Sequence, residues 1–417
     1  MHPFTLVFLI ALAFTTLAHL WLASRHIRHV AAHRGAVPPK FTGRITIAAH
    51  QKAADYTAER TRVGMVETAV GAVVLLAFTL GGGLQAISAG WTRVIETGGY
   101  AHGIAFIATV AVISSVVELP FGIYRTFVVE ARYGFNRMTL RLYFLDLVKQ
   151  ALLGLALGVP LALCVLWLMA IMGEVWWLYV WFTWVVFNLL VVSFYPTLIA
   201  PLFNRFTPLE DEDLKGRIER LLDRCGFRSQ GLFVMDSSRR SNHGNAYFTG
   251  FGAAKRIVLF DTLIARLAPP EIEAVLAHEL GHFRRNHVWK RMALLFAVSL
   301  GFLWLLGYLI GQDWFYGALN VRTHTTAMAL VLFFMVVPVF AFLLQPLMSL
   351  YSRRHEFEAD AYAAKHAAAS DLAQALVKLY QDNAATLTPD PLHSAVYDSH
   401  PPAALRIARL QSAKGSR

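Results

Sequence analysis

Seven long apolar segments dominate this sequence, and each is long enough to cross a lipid bilayer as a helix. A membrane-spanning helix needs about 20 consecutive, mostly apolar residues. Charged residues make up only 16% of the chain, against about 25% in soluble globular proteins. We therefore predict a multi-pass integral membrane protein with seven spans, at roughly 4–24, 64–90, 101–124, 150–173, 175–203, 289–312 and 325–350. The first is expected to be a retained anchor, because its apolar run is too long for a signal peptide and its positive charges follow it.

Positive charge is distributed unevenly between the two sides of the predicted membrane region. Seven spans put four polar segments on one side: 25–63, 125–149, 204–288 and the tail after 350. On these boundaries the other side keeps only Arg93 and Arg322. Because Lys and Arg are retained in cytoplasmic loops, we expect the long polar segment and the tail in the cytoplasm. This asymmetry accounts for the net charge of +11 without a nucleic-acid partner.

The polar segments show the patterns of short helices and strands. Helices are predicted at 209–225, 270–286 and 352–368, and strands at 231–236 and 255–260. Pro270 favours the first turn of the second of these helices, and Glu271 and Glu273 follow it there.

The run His278, Glu279, Leu280, Gly281, His282 is the clearest indication of chemistry in the sequence. Residues four apart share one face of a helix, so both imidazoles can bind one ion. Zinc suits such a site because it binds His nitrogen and carboxylate oxygen, keeps one position for water, and lowers the pKa of that water to about 7. We therefore predict one zinc ion per chain, with Glu279 taking a proton from water and passing it to the leaving amine.

Two histidines are too few to hold the ion, so a third protein ligand is required. His287 is expected to turn away from the metal face if the helix continues past His282. The tail helix offers three candidates between which spacing alone does not choose: His355, Glu356 and Glu358. Glu356 and Asp360 are four apart, so one can bind zinc while the other orients a ligand imidazole.

Several further motifs, in order along most of the chain, resemble the type 1 CAAX prenyl proteases, which are integral-membrane, gluzincin-like metalloproteases. The matching residues are 120, 121, 123, 124 and 134–136 after the third span, 200–204 and 206–209 after the fifth, SNHGNAYF at 241–248, RIVLFDTL at 256–263, HELGH at 278–282, then 352–354, 356–360 and SHPP at 399–402.

The resemblance implies a predominantly α fold, in which seven transmembrane helices enclose an intramembrane chamber and a cytosolic, zincin-like α/β metalloprotease domain holds the zinc. It implies spans one to five in 1–203, the catalytic loop domain in 204–288, spans six and seven in 289–350, and a segment completing the zinc site in 351–417. It assigns Glu356 as the third ligand and Asp360 as the carboxylate that orients a ligand imidazole. It places His400 and Arg406 facing the substrate and the developing oxyanion. It also offers an exposed strand for the peptide, formed by Asn245, Ala246, Tyr247 and Phe248.

The predicted activity is peptide-bond hydrolysis by a membrane-embedded zinc endopeptidase that, as the resemblance implies, removes the residues after a prenylated cysteine. Its partners are then the lipid bilayer and a peptide or protein substrate, prenylated if that specificity holds. Ala- and Arg-rich stretches such as 361–369 favour a bacterial inner membrane, while a eukaryotic chain would be expected in the endoplasmic reticulum.

Two alternatives stay open at this point. A quality-control membrane protease would share the site and accept broader substrates, but that class has fewer spans. A seven-span transporter would bind metal through His278 and His282 for stability alone, and Glu118, near the end of the third span, favours it.

Overall fold

The computed structural model describes residues 2–249 and 256–414, and these are predominantly helical. Among them, seven helices are long and apolar enough to cross a membrane, which confirms the predicted number of spans. They run Pro3–Ala32, Ile47–Phe78, Tyr100–Glu130, Leu140–Ile171, Gly173–Phe203, His287–Leu309 and Thr326–His366. Large apolar side chains on these helices are widely exposed, for example Leu17, Phe182 and Trp304 at 66%, 63% and 59%, as a lipid-facing surface requires.

The α-helices of the first half are α1 (Pro3–Ala32), α2 (Ile47–Phe78), α3 (Gly83–Trp91), α4 (Tyr100–Tyr124), α5 (Leu140–Ile171), α6 (Trp176–Phe194) and α7 (Ala200–Phe203). Those that follow are α8 (Glu212–Arg224), α9 (Asp261–Ile264), α10 (Pro269–Arg284), α11 (His287–Leu309), α12 (Asp313–Gly317), α13 (Thr326–Ala341), α14 (Gln345–His366), α15 (Ala369–Asp382), α16 (Pro391–Tyr397) and α17 (Ala403–Lys414). The predicted polar helices therefore correspond to α8, α10 and the second half of α14.

The second span differs from its prediction at both ends. A continuous helix over 64–90 is wrong, because α2 ends at Phe78 and a separate α3 begins at Gly83. Gly82 between them adopts φ +76°, a left-handed conformation that glycine reaches without steric cost. At the other end, the Thr46 hydroxyl accepts a hydrogen bond from the helix's first turn and starts α2 inside the polar segment.

A four-stranded sheet forms the β part of the polar domain. Its strands are β1 (Phe206–Pro208), β2 (Leu232–Met235), β3 (Ala246–Thr249) and β4 (Arg256–Phe260), in the order β1-β2-β4-β3. β2 and β4 are parallel, and the two outer pairs are antiparallel. The two predicted strands are β2 and β4, although residue 255 of the predicted range lies outside the described residues. β4 is central, so its Ile257, Val258 and Leu259 are all buried.

The sheet and α10 share one apolar core with the last helices of the chain. Leu276 and Leu280 of α10 pack there with Leu259 of β4, Leu376 of α15 and Ile407 of α17. α14 is the continuation of the last membrane span and lies against α10. α14 therefore connects the polar domain to the membrane region.

Candidate metal centre

Local sequence determines where α10 begins and therefore which face of the helix carries its histidines. Pro269 and Pro270 occupy the first turn, where proline's fixed φ is compatible with a helix and its missing N–H costs nothing. The Glu271 carboxylate accepts a hydrogen bond of 2.7 Å from the Ala268 N–H, which satisfies a backbone donor left open at the helix start. About two and three turns further on, the helix presents His278 and His282 on the face toward α14.

Glu356 on α14 completes a group of three convergent ligand atoms. The Nε2 atoms of His278 and His282 are 3.1 Å apart, and the Glu356 carboxylate oxygens lie 3.5 Å and 3.3 Å from them. Among the described residues, these three form the group whose ligand atoms all lie within 4.8 Å of one another. Tetrahedral zinc with ligands at about 2.0–2.1 Å would separate its ligand atoms by about 3.3 Å, so the spacing fits.

The hydrogen bonds at the Nδ1 atoms of the two imidazoles are also consistent with a cation bound between the Nε2 atoms. The Nδ1 atoms of His278 and His282 have partners of their own, so the Nε2 atoms are left facing each other as electron-pair donors. Glu356 is 2% exposed, and its Oε2 is buried without a hydrogen-bond partner. A buried carboxylate oxygen of this kind is costly unless a cation satisfies it.

Asp360 and Arg406 hold the first imidazole in place. The Asp360 carboxylate lies 2.9 Å from His278 Nδ1 and also receives two hydrogen bonds from Arg406, at 2.8 Å and 2.6 Å. Burial alone would lower the pKa of His278, but the carboxylates of Asp360 and Glu356 outweigh burial and raise it to about 9. A cation that binds at neutral pH must therefore displace a proton from His278.

His287 and Glu358 hold the second imidazole, a role that the sequence reasoning missed. His287 Nδ1 lies 3.0 Å from His282 Nδ1, and its Nε2 donates to Glu358 Oε2 at 3.1 Å. The expectation that His287 turns away assumed a helix continuing to residue 286. Instead α10 ends at Arg284, and Asn286 adopts φ +56°, so the chain turns back toward His282. Asn just after the end of a helix is a recognised stop signal. Asn286 could therefore have indicated from the sequence that α10 ends before His287.

Replacing His287 by alanine is expected to lower zinc affinity by about 10- to 100-fold, the usual cost of losing a partner that orients a ligand histidine. Affinity is measured by competition with a chromophoric chelator on the purified membrane protein. His287→Gln, which keeps one acceptor and one donor, should recover part of the loss. Wild-type affinity in the alanine variant would exclude this role.

Close contact between α10 and α14 is possible because residue 281 is glycine. A Cβ at Gly281 would lie 2.9 Å from the Ala359 Cα and 3.0 Å from the Ala359 carbonyl oxygen. These are backbone atoms and cannot move aside as a flexible side chain does. The glycine of the HELGH run therefore sets the distance between the helix with the histidines and the helix with Glu356.

Gly281→Ala is expected to push the two helices apart, costing about 1–3 kcal/mol as overpacking does and lowering metal affinity as well. Thermal unfolding and metal titration measure the two effects. Gly216→Ala on α8 is the matched control, since its nearest neighbour would be the end of the Arg220 side chain at 3.5 Å. Equal thermal stability of the two variants would contradict the close-contact explanation.

Glu279 and His400 border the ligand group without belonging to it. Burial raises the pKa of Glu279, and the nearby His278 and His282 partly oppose the rise. No hydrogen bond within the described part of the chain occupies the Glu279 carboxylate. His400 Nε2 lies 3.5 Å from Glu356 Oε2, while 61% of its side chain is exposed. Both groups are therefore close to the ligands and available to a substrate.

The predicted peptide strand lies at an edge of the sheet. Ala246, Tyr247 and Phe248 belong to β3, and Asn245 immediately precedes it. β3 pairs with β4, and no other described strand covers its outer side. Phe227 connects this edge to α10, because its ring contacts the rings of Phe248 in β3 and Phe283 in α10 edge-on.

Seven apolar spans combined with two helical histidines, one of them buried, and a buried glutamate define a membrane-embedded metalloprotease. Residues 26–205 match the CAAX prenyl protease N-terminal model, described as five membrane helices, and residues 208–414 match the model of peptidase family M48. This chain belongs to peptidase family M48, within its CAAX prenyl protease 1 branch.

Curated relatives and a solved structure agree with this assignment. The chain is 39% identical to the CAAX prenyl protease 1 homolog of Arabidopsis thaliana over 312 residues, covering 74% of this chain and 73% of the relative. It is 37% identical to CAAX prenyl protease 1 of Saccharomyces cerevisiae over 332 residues, covering 74% and 72%. The crystal structure of S. mikatae Ste24p superposes with a TM-score of 0.90 at 30% identity, covering 98% of this chain and 99% of that one. The fold and the family predicted from the sequence are therefore confirmed.

Proposed function

We propose that this protein is a zinc endopeptidase of the CAAX prenyl protease type, which removes the residues after a prenylated cysteine. The observation that carries the proposal is the convergence of His278, His282 and Glu356 at the point where the last membrane span enters the polar domain. A lipid-modified C terminus must bring an apolar anchor and a polar peptide to one place, and this location suits both. The name carried by the relatives supports the same substrate class.

His278, His282 and Glu356 would hold the ion through two imidazole nitrogens and a carboxylate. Bound there, zinc supplies Lewis acidity and makes a proton of water easier to remove. Glu279 is the proposed general base: its free carboxylate takes that proton and later gives it to the leaving nitrogen. Its raised pKa suits a group that must both accept and release a proton near neutral pH.

His400 and Arg406 are proposed to stabilise the negative charge that develops on the scissile carbonyl oxygen. His400 is the main donor in this proposal, because its imidazole is exposed beside Glu356. Two nitrogens of Arg406 are already engaged with Asp360, while its Nη1 lies 3.8 Å from Glu356. Arg406 would therefore act as a fixed positive charge and as an anchor for Asp360.

The edge strand formed by Asn245, Ala246, Tyr247 and Phe248 is proposed to bind the peptide in an extended form. Hydrogen bonds from an added strand use backbone groups, so they align a substrate without selecting its side chains. Specificity would then depend on groups outside this strand, including those that meet the prenyl chain.

The catalytic segments 204–288 and 351–417 are proposed to face the cytoplasm. The support is the strong excess of Lys and Arg in the segments on that side of the membrane. Ala- and Arg-rich segments favour a bacterial inner membrane, and the chain would lie in the endoplasmic reticulum if its source is eukaryotic.

The substrate class is tested with a farnesylated C-terminal peptide and its unmodified twin, on the full chain in nanodiscs with and without a zinc chelator. We expect cleavage of the farnesylated peptide that the chelator abolishes, and at least about tenfold slower cleavage of the twin, since desolvating a long apolar chain contributes strongly to binding. Equal rates on both peptides would identify a general membrane peptidase instead. No cleavage of either by zinc-loaded protein would overturn the hydrolase proposal.

A further inference from the structure

α14 also borders a second feature, which includes none of the three candidate metal ligands. A cavity of about 630 Å³ opens there, between α14, the end of α10 and α17. We call it the basic cleft and define it by six of its lining residues: Arg285, Leu350, Arg353, Arg354, Leu405 and Arg409. Glu356 and Asp360 are buried and do not line the cavity, so the cleft is distinct from the ligand group, although Glu358, which contacts His287, borders both.

Positive charge in the basic cleft is largely unpaired. Arg354 forms an ion pair with Glu358 at 3.1 Å. Within the described ranges no carboxylate lies at ion-pair distance from the other three arginines of the cleft. Arg353 donates one hydrogen bond to the Ala395 carbonyl, while its Nε is buried and unpartnered. Several guanidinium groups around one cavity repel one another unless an anion joins them.

The cleft lies at the level where the membrane ends. In the sequence the last apolar run gives way to polar residues after Leu350, and the sixth span begins at His287, shortly after the end of α10. Arg291 in the first turns of that span donates to the Ser352 hydroxyl at 3.0 Å, so the two positions are at the same height. The arginines of the cleft therefore lie at the boundary between the hydrocarbon and the polar domain.

An exposed apolar stripe leads from the membrane into the cleft. Leu347, Leu350 and Arg354 follow one another at spacings of three and four residues, so they share one face of α14. Leu347 and Leu350 are 61% and 58% exposed, and Leu405 beside them is 54% exposed. A soluble anion would leave this apolar stripe exposed, whereas an acyl chain attached to a phosphate would cover it.

We propose that the basic cleft binds an anionic phospholipid, with its phosphate among Arg285, Arg353 and Arg409 and an acyl chain along Leu347 and Leu350. Guanidinium groups match phosphate oxygens with paired hydrogen bonds. Arg353 belongs to α14, Arg409 to α17, and Arg285 directly follows α10; these helices also carry Glu356, Arg406 and His278. A lipid in the cleft therefore holds together the elements that form the metal centre and stabilises the folded chain.

The test compares retention of phosphatidylglycerol and phosphatidylcholine by the purified full-length chain, using native mass spectrometry in a non-ionic detergent. An arginine near a membrane surface contributes about a fivefold preference for anionic lipid. Wild type should therefore retain phosphatidylglycerol at least about fivefold better than phosphatidylcholine. R285Q/R409Q should lose most of this preference and also the rise in Tm that phosphatidylglycerol produces. This variant leaves the Arg353 hydrogen bond intact, and its metal content serves as the check that it folds.

R220Q/R228Q is the matched control, because it removes two exposed arginines of the same polar domain that do not line the cleft. It should retain phosphatidylglycerol as wild type does. Equal retention by R285Q/R409Q and wild type, or no preference in wild type, would overturn the proposal. Equal stabilisation by inorganic phosphate would also overturn it, by showing a site for a soluble anion. Each result is independent of whether the chain cuts prenylated peptides.

Discussion

Replacing Glu279 by glutamine is expected to lower kcat for peptide hydrolysis by about 10²- to 10⁴-fold, the usual contribution of a general acid–base group. The amide has nearly the same shape but cannot take a proton from water. Its neighbours His278 and His282 keep their own hydrogen-bond partners, so one metal ion per chain should still bind. Steady-state kinetics and metal analysis of the same purified sample measure both quantities.

Glu279→Asp is the matched comparison, because it keeps the carboxylate and withdraws it by one methylene. Its rate should fall between wild type and the glutamine variant. The outcome of the Glu279→Gln experiment also distinguishes a protease from the metal-stabilised transporter that the sequence left open. A metal-stabilised transporter has no need of Glu279, so loss of hydrolysis with retained metal supports the protease, whereas unchanged hydrolysis would exclude Glu279 as the base.

Replacing Glu356 by glutamine is expected to remove the metal altogether, with affinity falling by more than the roughly 100-fold upper cost of losing an outer partner. The neutral amide is a poor ligand, and it leaves two imidazoles facing each other without the negative charge that balances a divalent cation. Zinc titration and thermal unfolding with and without added zinc measure the loss, and the variant should show no zinc-dependent rise in Tm.

Glu358→Gln, two residues further along α14, is the comparison for this prediction. Glu358 contacts His287 and Arg354 rather than the ligand nitrogens, so its loss should cost about 10- to 100-fold in affinity. If Glu358→Gln lost the metal and Glu356→Gln kept it, the assignment of the third ligand would be wrong.

Much of the fold followed from sequence because it depends on local composition. A run of about 20 apolar residues has few alternatives to a membrane helix, and each of the seven runs overlaps one of the seven long apolar helices of the structure. Prediction failed at the end of the second span, where Gly82 turns the chain within the run of three glycines at 81–83. Hydropathy measures preference for lipid and does not register the backbone freedom of glycine, although consecutive glycines are a turn signal.

The candidate site was likewise predictable where it depends on local spacing and not where it depends on packing. The spacing of His278 and His282 was sufficient to predict that they share a face, because four residues make about one helical turn. Their third partner comes from a segment more than 70 residues away, and spacing within that segment left His355, Glu356 and Glu358 equivalent. Resemblance to a family selected Glu356, and packing gives the physical account: Glu356 faces both imidazoles, Glu358 contacts His287, and His355 stacks on the His287 ring at 4.0 Å.

By itself, the sequence predicted seven membrane-spanning helices and a helix whose two histidines are spaced to bind a metal ion, since both depend on residues close together in the chain. Only the tertiary structure decided how near α14 comes to that helix, because Gly281 and Ala359 touch across a contact that no local pattern encodes. The same packing brought His287 back to His282 and gathered arginines from α14, α17 and the end of α10 around one cleft. Such arrangements depend on how whole helices fit together, and that fit is a property of the folded chain.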